Sequence, residues 1–456
     1  MPGRSFARPG RLPFEAAASM NLETRLLAAL APWRSAPAWQ VAFSGGLDSS
    51  VLLHLLARLA EREALPALSA IHVHHGLQTV ADAWPAHCQA FCSALGVALR
   101  VSRVQVDSRA SLERAAREAR YRAFAEGLGE GEVLLVAQHR DDQAETLLLR
   151  LLRGAGVRGL AAMPASRALG RGQLVRPLLE VPRRELEAYA RQHGLSWIED
   201  PSNADGRFAR NHLRHAVFPQ FDGHWPQAVQ SLARSAAHLR EAQALLDERA
   251  IEDLEAAKSP APFAWLTLPS LALAPLLALS PARQRNALRY WLAPLTPLPD
   301  SDHWAGWEDL CGAALDASPV WRLGGGELHR AAGRIWWLSG DWLRVPLEPP
   351  AWTDPSTPLQ LPGNGCLEWR ATAPCDPLRV RYRQGGERLE GPGRGHRDLK
   401  RLLNEMALPA FVRGRLPLLY RGDELLAVAN LPALAPRASQ GGELIWTLPT
   451  SDQGLS

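Results

Sequence analysis

The heptapeptide Ser44-Gly45-Gly46-Leu47-Asp48-Ser49-Ser50 joins an apolar strand pattern at residues 40–43 to a helical pattern at residues 49–60. Two adjacent glycines allow the backbone to turn sharply and to approach an anion closely. The amides at a helix N-terminus then favour a phosphate, and the serine hydroxyls can donate further hydrogen bonds. Asp48 suits either a Mg²⁺ ion bridging phosphates or the N-cap of the helix. An ordinary capped helix after a Gly-Gly turn stays open as the alternative.

Around this loop, short apolar runs alternate with longer amphipathic ones. The predicted strands lie at residues 40–43, 68–73, 98–106, 133–137 and 174–176, and the predicted helices at 49–60, 82–95, 111–127, 142–153 and 182–193. This alternation predicts the α/β class, with a doubly wound parallel sheet that has helices on both faces. Ligands of such sheets bind beyond the carboxyl ends of the strands, which is where the heptapeptide lies.

Beyond the sheet the pattern changes twice. Residues 207–316 show no strand signal, and the amphipathic stretches 226–256 and 281–291 predict helices. After Val320, short apolar runs broken by Gly and Pro predict a small mixed α/β or mainly β region. We therefore expect a disordered extension at 1–19, with translation starting at Met20, a catalytic domain at 20–215, a helical domain at 216–330 and a C-terminal domain at 331–456.

Composition excludes several function classes. The chain has 456 residues and a formal charge of +4, which permits a nucleic-acid partner without requiring one. Its only lysines are Lys258 and Lys400, so it has no Walker-type loop, which needs Gly-Lys-Ser/Thr. Five cysteines without a Cys-x-x-Cys pair favour a reduced cytoplasm, with Cys88 and Cys92 as buried core thiols. No apolar run is long enough to predict a membrane span.

Two polar motifs follow predicted strands. His72-Val73-His74-His75-Gly76-Leu77 ends the second strand, and His139-Arg140-Asp141-Asp142-Gln143-Ala144-Glu145-Thr146 ends the fourth. Asp142 and Glu145 lie three residues apart at a helix start and so share one face, where they could hold a cationic amino acid. Carboxylates also cap helix N-termini, and strand-end histidines are more often packing residues, so both simpler roles stay open.

The heptapeptide resembles the PP-loop of the N-type ATP pyrophosphatases, which split ATP into AMP and pyrophosphate. Together with both polar motifs, the chain resembles the tRNA(Ile)-lysidine synthetase family in three further stretches, at residues 176–179, 197–203 and 207–214. Residues 381–388, 399–403 and 415–417 resemble the C-terminal domain of that family's longer members. The resemblance covers residues 38–428 and is weakest between 250 and 374.

This resemblance implies a Rossmann-like catalytic domain and assigns roles to particular residues. The heptapeptide binds ATP and Mg²⁺, and Arg207, Arg210 and Asn211 help to close the ATP site. Asp142 and Glu145 hold L-lysine. Asp48, Asp142, Glu145 and His139 form the implied catalytic group, and whether a carboxylate or His139 removes the amine proton stays open.

The implied reaction has two steps. The C2 oxygen of the cytidine at the first anticodon position of tRNA(Ile), whose anticodon is CAU, attacks the α-phosphate of ATP and releases pyrophosphate. The amino group of L-lysine then attacks C2 and expels AMP, which leaves lysidine. The modified base pairs with AUA instead of AUG.

The positive charge of the chain is concentrated near its C-terminus. Residues 376–421 carry 11 Lys or Arg and 5 Asp or Glu, a net charge of +6, which leaves −2 for the rest of the chain. A patch of this kind makes RNA binding salt-dependent. The resemblance implies tRNA contacts from Arg381, Arg383, Arg388, Lys400, Arg401 and Arg415.

Rival functions stay open at this stage. A tRNA cytidine thiolase would share the PP-loop, but such enzymes need cysteines, usually as Cys-x-x-Cys pairs, and this chain has none. A non-catalytic RNA-binding protein on the same scaffold would not need an intact loop. The spacing of Arg207, Arg210 and Arg214 also fits a solvated basic helix face. The sequence does not determine the oligomeric state, and a homodimer is compatible with it.

Overall fold

The structure is a computed structural model that describes residues 21–76, 79–106, 112–299, 302–314, 317–371, 378–390, 396–434 and 442–449. The chain divides into two compact units, the first ending at Ala244 and the second beginning at Leu245. The extension and the translation start that we expect near the N-terminus lie outside the described residues.

Six strands form the sheet of the first unit: β1 (Ala38–Ala42), β2 (Ala67–His74), β3 (Ala98–Arg103), β4 (Val133–Leu135), β5 (Ser166–Leu169) and β6 (Gly172–Val175). Their order across the sheet is β3-β2-β1-β4-β6-β5. Every neighbouring pair is parallel except β5 with β6. Parallel neighbours need crossover connections, and helices supply them here.

The helices of the first unit are α1 (Leu22–Leu30), α2 (Leu47–Ala60), α3 (Trp84–Ala94), α4 (Leu112–Gly127), α5 (Arg140–Leu151), α6 (Val157–Leu160), α7 (Arg183–Gln192), α8 (Ala209–His212) and α9 (Phe218–Phe221). Between α8 and α9 the chain forms a π-helical turn, Leu213–Val217. The helices that the alternating pattern predicts are therefore all present, with ends that differ by a few residues.

Alternate residues of β4 pack into different cores. Val133 and Leu135 belong to a core that contains Leu52 of α2, whereas Leu134 belongs to one that contains Phe124 of α4. Successive side chains of a strand point to opposite faces of a sheet. Helices therefore cover both faces, and the prediction of a doubly wound parallel sheet is confirmed.

Two local features differ from the sequence prediction. The pattern missed β5, which forms a hairpin with β6 through Gly170 at a φ of +52°. A Cβ atom at Gly170 would lie 2.7 Å from the Ala125 carbonyl oxygen, so this turn requires glycine. Helix α2 begins at Leu47, two residues before the predicted start, because the extended backbone of Gly46 makes that residue the N-cap.

Helix α10 (Ala228–Glu255) contains the division between the two units. The second unit continues with β7 (Ser270–Ala272), α11 (Leu273–Leu277), α12 (Pro281–Leu292), α13 (Ala305–Gly312), β8 (Val320–Leu323), β9 (Gly326–Ala331) and β10 (Arg334–Leu338). The helices predicted at 226–256 and 281–291 are confirmed as α10 and α12. The prediction of no strand within 207–316 is wrong at β7, whose three residues are too few to show periodicity and pair with β10.

The remaining elements are β11 (Leu359–Leu361), β12 (Gly365–Ala371), β13 (Leu378–Tyr382), β14 (Arg388–Glu390), β15 (His396–Asp398), α14 (Leu399–Glu405), α15 (Ala410–Arg413), β16 (Pro417–Arg421), β17 (Glu424–Val428) and β18 (Gly442–Thr447). All strand pairs in this region are antiparallel among the described residues, and one apolar core joins them to α14. The prediction of a mixed C-terminal region is confirmed.

Strands β8, β9 and β10 form one sheet with β7, in the order β7-β10-β9-β8. The domain boundary predicted between residues 330 and 331 therefore falls inside the hairpin that β9 and β10 form. We keep the three-domain division as a proposal, with its second boundary moved beyond Leu338. Among the described residues, no helix is both long and apolar enough to cross a membrane.

Candidate active site

Gly45 shapes the loop that follows β1. Its φ is +82°, a conformation that favours glycine, and its carbonyl oxygen accepts a hydrogen bond of 2.8 Å from the Ile198 amide. A Cβ atom at this position would lie 2.6 Å from Ile198 Cδ1 and 3.0 Å from Cys88 Sγ. The sharp turn expected from the two glycines is therefore present, and position 45 has no room for a side chain.

The N-terminus of α2 is left open by this loop. Gly46 occupies the N-cap position and offers no side chain to the first-turn amides. Ser44 Oγ lies 3.0 Å from Ser49 Oγ, and the Ser49 hydroxyl donates to the Gly46 carbonyl oxygen at 3.0 Å. Ser50 likewise bonds back to the Gly45 carbonyl oxygen at 3.4 Å. An uncapped N-terminus presents its amides and the positive end of the helix dipole to an anion.

Asp48 lies in the first turn of α2, so the N-cap role considered for it is wrong. Its Oδ2 is 3.6 Å from His139 Nε2, and its Oδ1 is 4.0 Å from Arg183 Nε. Oδ1 is buried and accepts no hydrogen bond from the described residues. Burial alone would raise the pKa of Asp48, but His139, Arg183 and Arg214 together hold it below its ordinary value. The carboxylate is therefore ionised, and one oxygen is available to a cation.

His139 is 1% exposed and lies among three carboxylates. Its ring nitrogens are 3.5 Å from Asp142 Oδ2, 3.6 Å from Asp48 Oδ2 and 3.7 Å from Asp141 Oδ2. Burial alone would lower the pKa of His139, but the carboxylates, Asp142 first, raise it above its ordinary value. The carboxylates thus favour the imidazolium form, and the role of His139 as a general base stays a prediction.

Glu145 is 2% exposed and pairs with two arginines. Arg214 Nη2 is 2.7 Å from Glu145 Oε1, and Arg210 Nε is 3.3 Å from Oε2. Arg210 also donates to Thr146 Oγ1 at 2.8 Å, and Arg214 Nη2 approaches Asp142 Oδ1 at 3.4 Å. Helix α8 and the π-helical turn thus bring both guanidinium groups onto the acidic pair. Arg210, which the resemblance assigns to the ATP site, lies here on Glu145.

Burial raises the pKa of Glu145, and the charges of Arg214 and Arg210 offset only part of this effect. A carboxylate whose pKa is raised toward neutrality accepts a proton more readily than an ordinary one. Burial thus makes Glu145 a better proton acceptor than an ordinary glutamate, and the choice of base among Asp142, Glu145 and His139 stays a prediction.

Asp142 also has a structural role at the start of α5. Its Oδ2 accepts a hydrogen bond of 3.0 Å from the His139 amide, as in a capping box. The Asp142 amide in turn donates to His139 Nδ1 at 3.4 Å, a long contact that completes the capping box. The capping role left open by the sequence is therefore present for Asp142, while Glu145 takes no part in it.

Two further residues assigned to the ATP site support the loop before α8. Arg207 is exposed and pairs with Asp205 at 2.7 Å. Asn211 is buried, and its amide donates to the carbonyl oxygens of Ser202 at 2.7 Å and Asp205 at 3.0 Å. Asn211 therefore holds the turn at residues 202–205 in place. Contacts of Arg207 and Asn211 with ATP stay a prediction.

Sequence reasoning gave no role to Arg183 or Asp141, and it left Arg214 open between a solvated helix face and a contact with phosphate or RNA. Arg183, at the start of α7, lies near Asp48, and its amide donates to Asp141 Oδ2 at 2.9 Å. Arg214 contacts both members of the acidic pair. The only signal for Arg214 is its position four residues after Arg210, which places both on one helix face. Arg183 and Asp141 carry no comparable signal.

The strand-end histidines and the thiols beside them pack in the core. His72 is 3% exposed, and its Nδ1 lies 3.4 Å from Cys88 Sγ. His74 Nε2 is 3.1 Å from Asp82 Oδ1. Burial raises the pKa of Cys88 to about 12 and that of Cys92 to about 11, so both thiols stay neutral. The prediction of buried core thiols is confirmed.

Arg415 requires a correction. It is 4% exposed, and its Nη2 donates to the carbonyl oxygens of Asp341 at 3.0 Å and Arg344 at 2.7 Å. Its guanidinium also lies 4.6 Å from the centroid of the Trp342 ring. The Arg415 guanidinium is therefore bonded within the C-terminal region, and we withdraw Arg415 from the predicted tRNA contacts.

Three other predicted tRNA contacts are exposed. Arg388 lies on β14, and Lys400 and Arg401 lie in the first turn of α14. Arg401 Nε is 3.0 Å from Glu405 Oε1, whereas Lys400 forms no ion pair with a described residue. Arg388 likewise forms no ion pair with a described residue, so the charges of Arg388 and Lys400 are more accessible than that of Arg401.

The last two predicted contacts are half-buried. The Arg381 guanidinium lies 5.2 Å from the centroid of the Tyr420 ring, and Arg383 Nε is 3.4 Å from Glu387 Oε2. Both side chains therefore make contacts within the C-terminal region. Their contacts with tRNA stay a prediction.

Known protein families match the chain in three segments. The family model described as a PP-loop domain matches residues 18–221. The TilS substrate binding domain matches residues 271–336, and the TilS substrate C-terminal domain matches residues 378–449. The first match contains the open loop and the acidic pair, and the third contains the basic segment.

Curated relatives match almost the whole chain. A tRNA(Ile)-lysidine synthase of Pseudomonas fluorescens (strain Pf0-1) is 64% identical over 437 residues, which cover 96% of this chain and 99% of the relative. The protein of the same name from Pseudomonas aeruginosa is 65% identical over 441 residues, 96% of this chain and 100% of the relative. That of Alkalilimnicola ehrlichii is 46% identical over 426 residues, 89% of this chain and 92% of the relative. The chain therefore belongs to the tRNA(Ile)-lysidine synthase family.

Proposed function

We propose that this chain is an ATP-dependent ligase that forms the C–N bond of lysidine on tRNA(Ile). One observation carries this function: a site suited to phosphate and a site suited to an ammonium group meet at one side chain. The open N-terminus of α2 is the first site, and Asp142 with Glu145 is the second. His139 Nε2 lies 3.6 Å from Asp48 Oδ2 and 3.5 Å from Asp142 Oδ2. A nucleotide and an amino acid can therefore react next to each other.

The reaction follows the two steps set out from the sequence. The cytidine C2 oxygen attacks the α-phosphorus of ATP, and pyrophosphate leaves from the α2 N-terminus. The amine of L-lysine, held by the acidic pair, then attacks C2 and AMP leaves. The cytidine has to leave the anticodon stack to reach these groups, as bases read in single-stranded RNA loops do.

Mg²⁺ fits this site on the evidence of Asp48. Its Oδ1 is buried without a hydrogen-bond partner among the described residues, and its carboxylate is ionised. Mg²⁺ in nucleotide sites is usually held by one or two carboxylates together with phosphate oxygens. The described residues contain no larger ligand cluster, and none is needed. In the proposed complex Asp48 holds the ion, which would offset the charge of the phosphates.

Glu145 accepts the amine proton in this proposal. A lysine amine is protonated at neutral pH and has to lose a proton before it attacks carbon. Glu145 is a buried member of the acidic pair, and burial raises its pKa. His139 instead helps to hold the pKa of Asp48 low.

The full-length chain tests this function with radiolabelled L-lysine, ATP, Mg²⁺ and a transcript of tRNA(Ile) bearing the CAU anticodon. We expect one lysine per tRNA, with one pyrophosphate and one AMP released. A tRNA(Ile) transcript with anticodon GAU is the matched control and should receive no lysine. Pyrophosphate release with another acceptor, and no lysine in the tRNA, would overturn the assignment.

A further inference from the structure

Arg214 lies on the carboxylates that the proposed function assigns to lysine. Its Nη2 is 2.7 Å from Glu145 Oε1 and 3.4 Å from Asp142 Oδ1. Its Nε also donates to Glu145 Oε1 at 2.8 Å. An ammonium group cannot join these two carboxylates while two guanidinium groups share them, because like charges at such distances repel. The acidic pair is therefore occupied by the protein itself.

The two arginines are not held equally. Arg210 has a second anchor, the hydroxyl of Thr146 at 2.8 Å. Among the described residues, Arg214 bonds only with Glu145 and Asp142, whereas the bond of Arg210 to Thr146 does not depend on the acidic pair. Arg214 also belongs to the π-helical turn Leu213–Val217, a rare geometry that is frequent at functional sites. Arg214 can therefore leave the pair while Arg210 stays.

The phosphate loop lies within electrostatic range of Arg214. Its charge contributes to holding the pKa of Asp48 low, together with His139 and Arg183. Bound ATP would bring several negative charges to the α2 N-terminus. Arginine binds phosphate oxygens in a bidentate manner, with charge-assisted hydrogen bonds about twice as strong as neutral ones.

We propose that Arg214 is a gate between the two substrates: it occupies the ammonium position on Asp142 and Glu145 until ATP binds, and the phosphates then draw it away. The proposal rests on the proposed function, since it names the residue that regulates lysine binding at the same site. Because coupling between two ligands is reciprocal, ATP and lysine should each strengthen binding of the other by one factor. Coupling of this kind is typically about 5- to 150-fold.

Calorimetric titration of L-lysine into the full-length chain measures this coupling, with and without Mg²⁺ and a non-hydrolysable α,β-methylene ATP analogue. For the unsubstituted chain we expect lysine to bind at least about fivefold more tightly with the analogue. In Arg214→Gln, lysine should bind without the analogue, and the ratio should fall to within about twofold of one. Arg210→Gln is the matched control, since it also removes a charge from Glu145 but leaves Arg214 in place, and it should keep the coupling.

The inference is wrong if Arg214→Gln shows the same coupling as the unsubstituted chain, or if it melts normally and binds no lysine in either state. An experimental structure of the unsubstituted chain with the analogue gives a second measurement that does not depend on a variant. It should show the Arg214 guanidinium more than 4 Å from Glu145, a clear departure from the present 2.7 Å. A guanidinium still on Glu145 with nucleotide bound would contradict the gate. Lysine incorporation into tRNA with no coupling refutes the gate alone, whereas absent incorporation refutes the proposed function.

Discussion

The N-termini of α2 and α5 follow neighbouring parallel strands and lie at the same edge of the sheet, yet they have opposite chemistry. Helix α2 begins with Gly46, which leaves its first amides open. Helix α5 begins with His139, and Asp142 caps it. The backbone is the same in both, and the cap decides which ligand each end suits. An open end favours an anion, and a capped end with surplus carboxylates favours a cation.

The largest expected effect comes from removing the Asp48 carboxylate, which links the N-terminus of α2 to His139 at the N-terminus of α5. Asp48→Ala should lower lysine transfer by about 1000-fold or more, since it removes the proposed Mg²⁺ ligand and leaves His139 with fewer carboxylates. Lysine incorporation into tRNA measures this effect. Asp205→Ala, which removes a half-buried carboxylate paired with the exposed Arg207, is the control and should keep most activity. Substantial turnover in Asp48→Ala would remove the proposed metal role.

A second substitution turns the open end into a capped one. Gly46→Asp should stabilise α2 by about a few tenths of a kcal/mol, because aspartate is a slightly better N-cap than glycine. It should weaken ATP binding by at least about 100-fold, because like charges about 4 Å apart near a protein surface repel by roughly 4 kcal/mol. Melting temperature and nucleotide titration measure the two effects.

Gly46→Ala is the matched control for this change. A Cβ atom at position 46 would lie 3.4 Å from Ser44 Oγ, an ordinary contact, so alanine fits. It should bind ATP within about threefold of the unsubstituted chain, because it adds no charge. Equal losses of ATP binding in both variants would show that steric crowding, and not the capping charge, closes the site.

The capped end predicts a pH dependence of stability through His139. Its folded pKa is raised above the ordinary 6.5, so its contribution is fully present below pH 6.5 and is lost as pH rises through the folded pKa. His139→Asn keeps a capping side chain and removes the charge. The difference in melting temperature between the two proteins should therefore be largest below pH 6.5 and shrink at higher pH, by about 2–4 °C per kcal/mol. A difference that grows with pH would contradict the imidazolium.

The smallest effects are expected in the second unit. There the comparison is between Lys400, which is exposed, and Arg415, which is buried and bonded to carbonyl oxygens. Lys400→Ala should weaken tRNA binding and reduce its salt dependence by about one phosphate contact, with an unchanged melting temperature. Arg415→Ala should instead destabilise the fold by about 1–3 kcal/mol, since it leaves two carbonyl oxygens unpaired. Filter binding at several salt concentrations and thermal melting distinguish them. A salt effect in Arg415→Ala at native stability would restore it as a tRNA contact.

The phosphate loop could be predicted because its physics is local. Glycine at positions 45 and 46 follows from the turn and from the close approach of Ile198, and both belong to a motif seven residues long. The alternation of β4 residues between two cores is likewise visible as a short apolar run between helices. Such features need no knowledge of the rest of the chain.

The occupants of the acidic pair could not be predicted in this way. Arg214 contacts Glu145 across 69 positions of sequence, and the choice between solvent and carboxylate depends on how α8 packs against α5. Arg415 illustrates the opposite error, since its basic neighbourhood suggested RNA while tertiary packing buried it against Trp342. Charge type is readable from sequence, but the partner of a charge is a property of the fold.

The guanidinium groups of Arg210 and Arg214 also bear on a side reaction, in which an amine of the protein itself would attack the activated cytidine. In the proposed reaction an amine attacks an activated cytidine beside this acidic pair, and arginine cannot be deprotonated in proteins. A lysine side chain at either position would present a primary amine to the same carbon and could become covalently attached to the tRNA. The chain carries only two lysines, at positions 258 and 400, and neither belongs to the first unit. Arginine at this site thus supplies positive charge without offering a competing nucleophile.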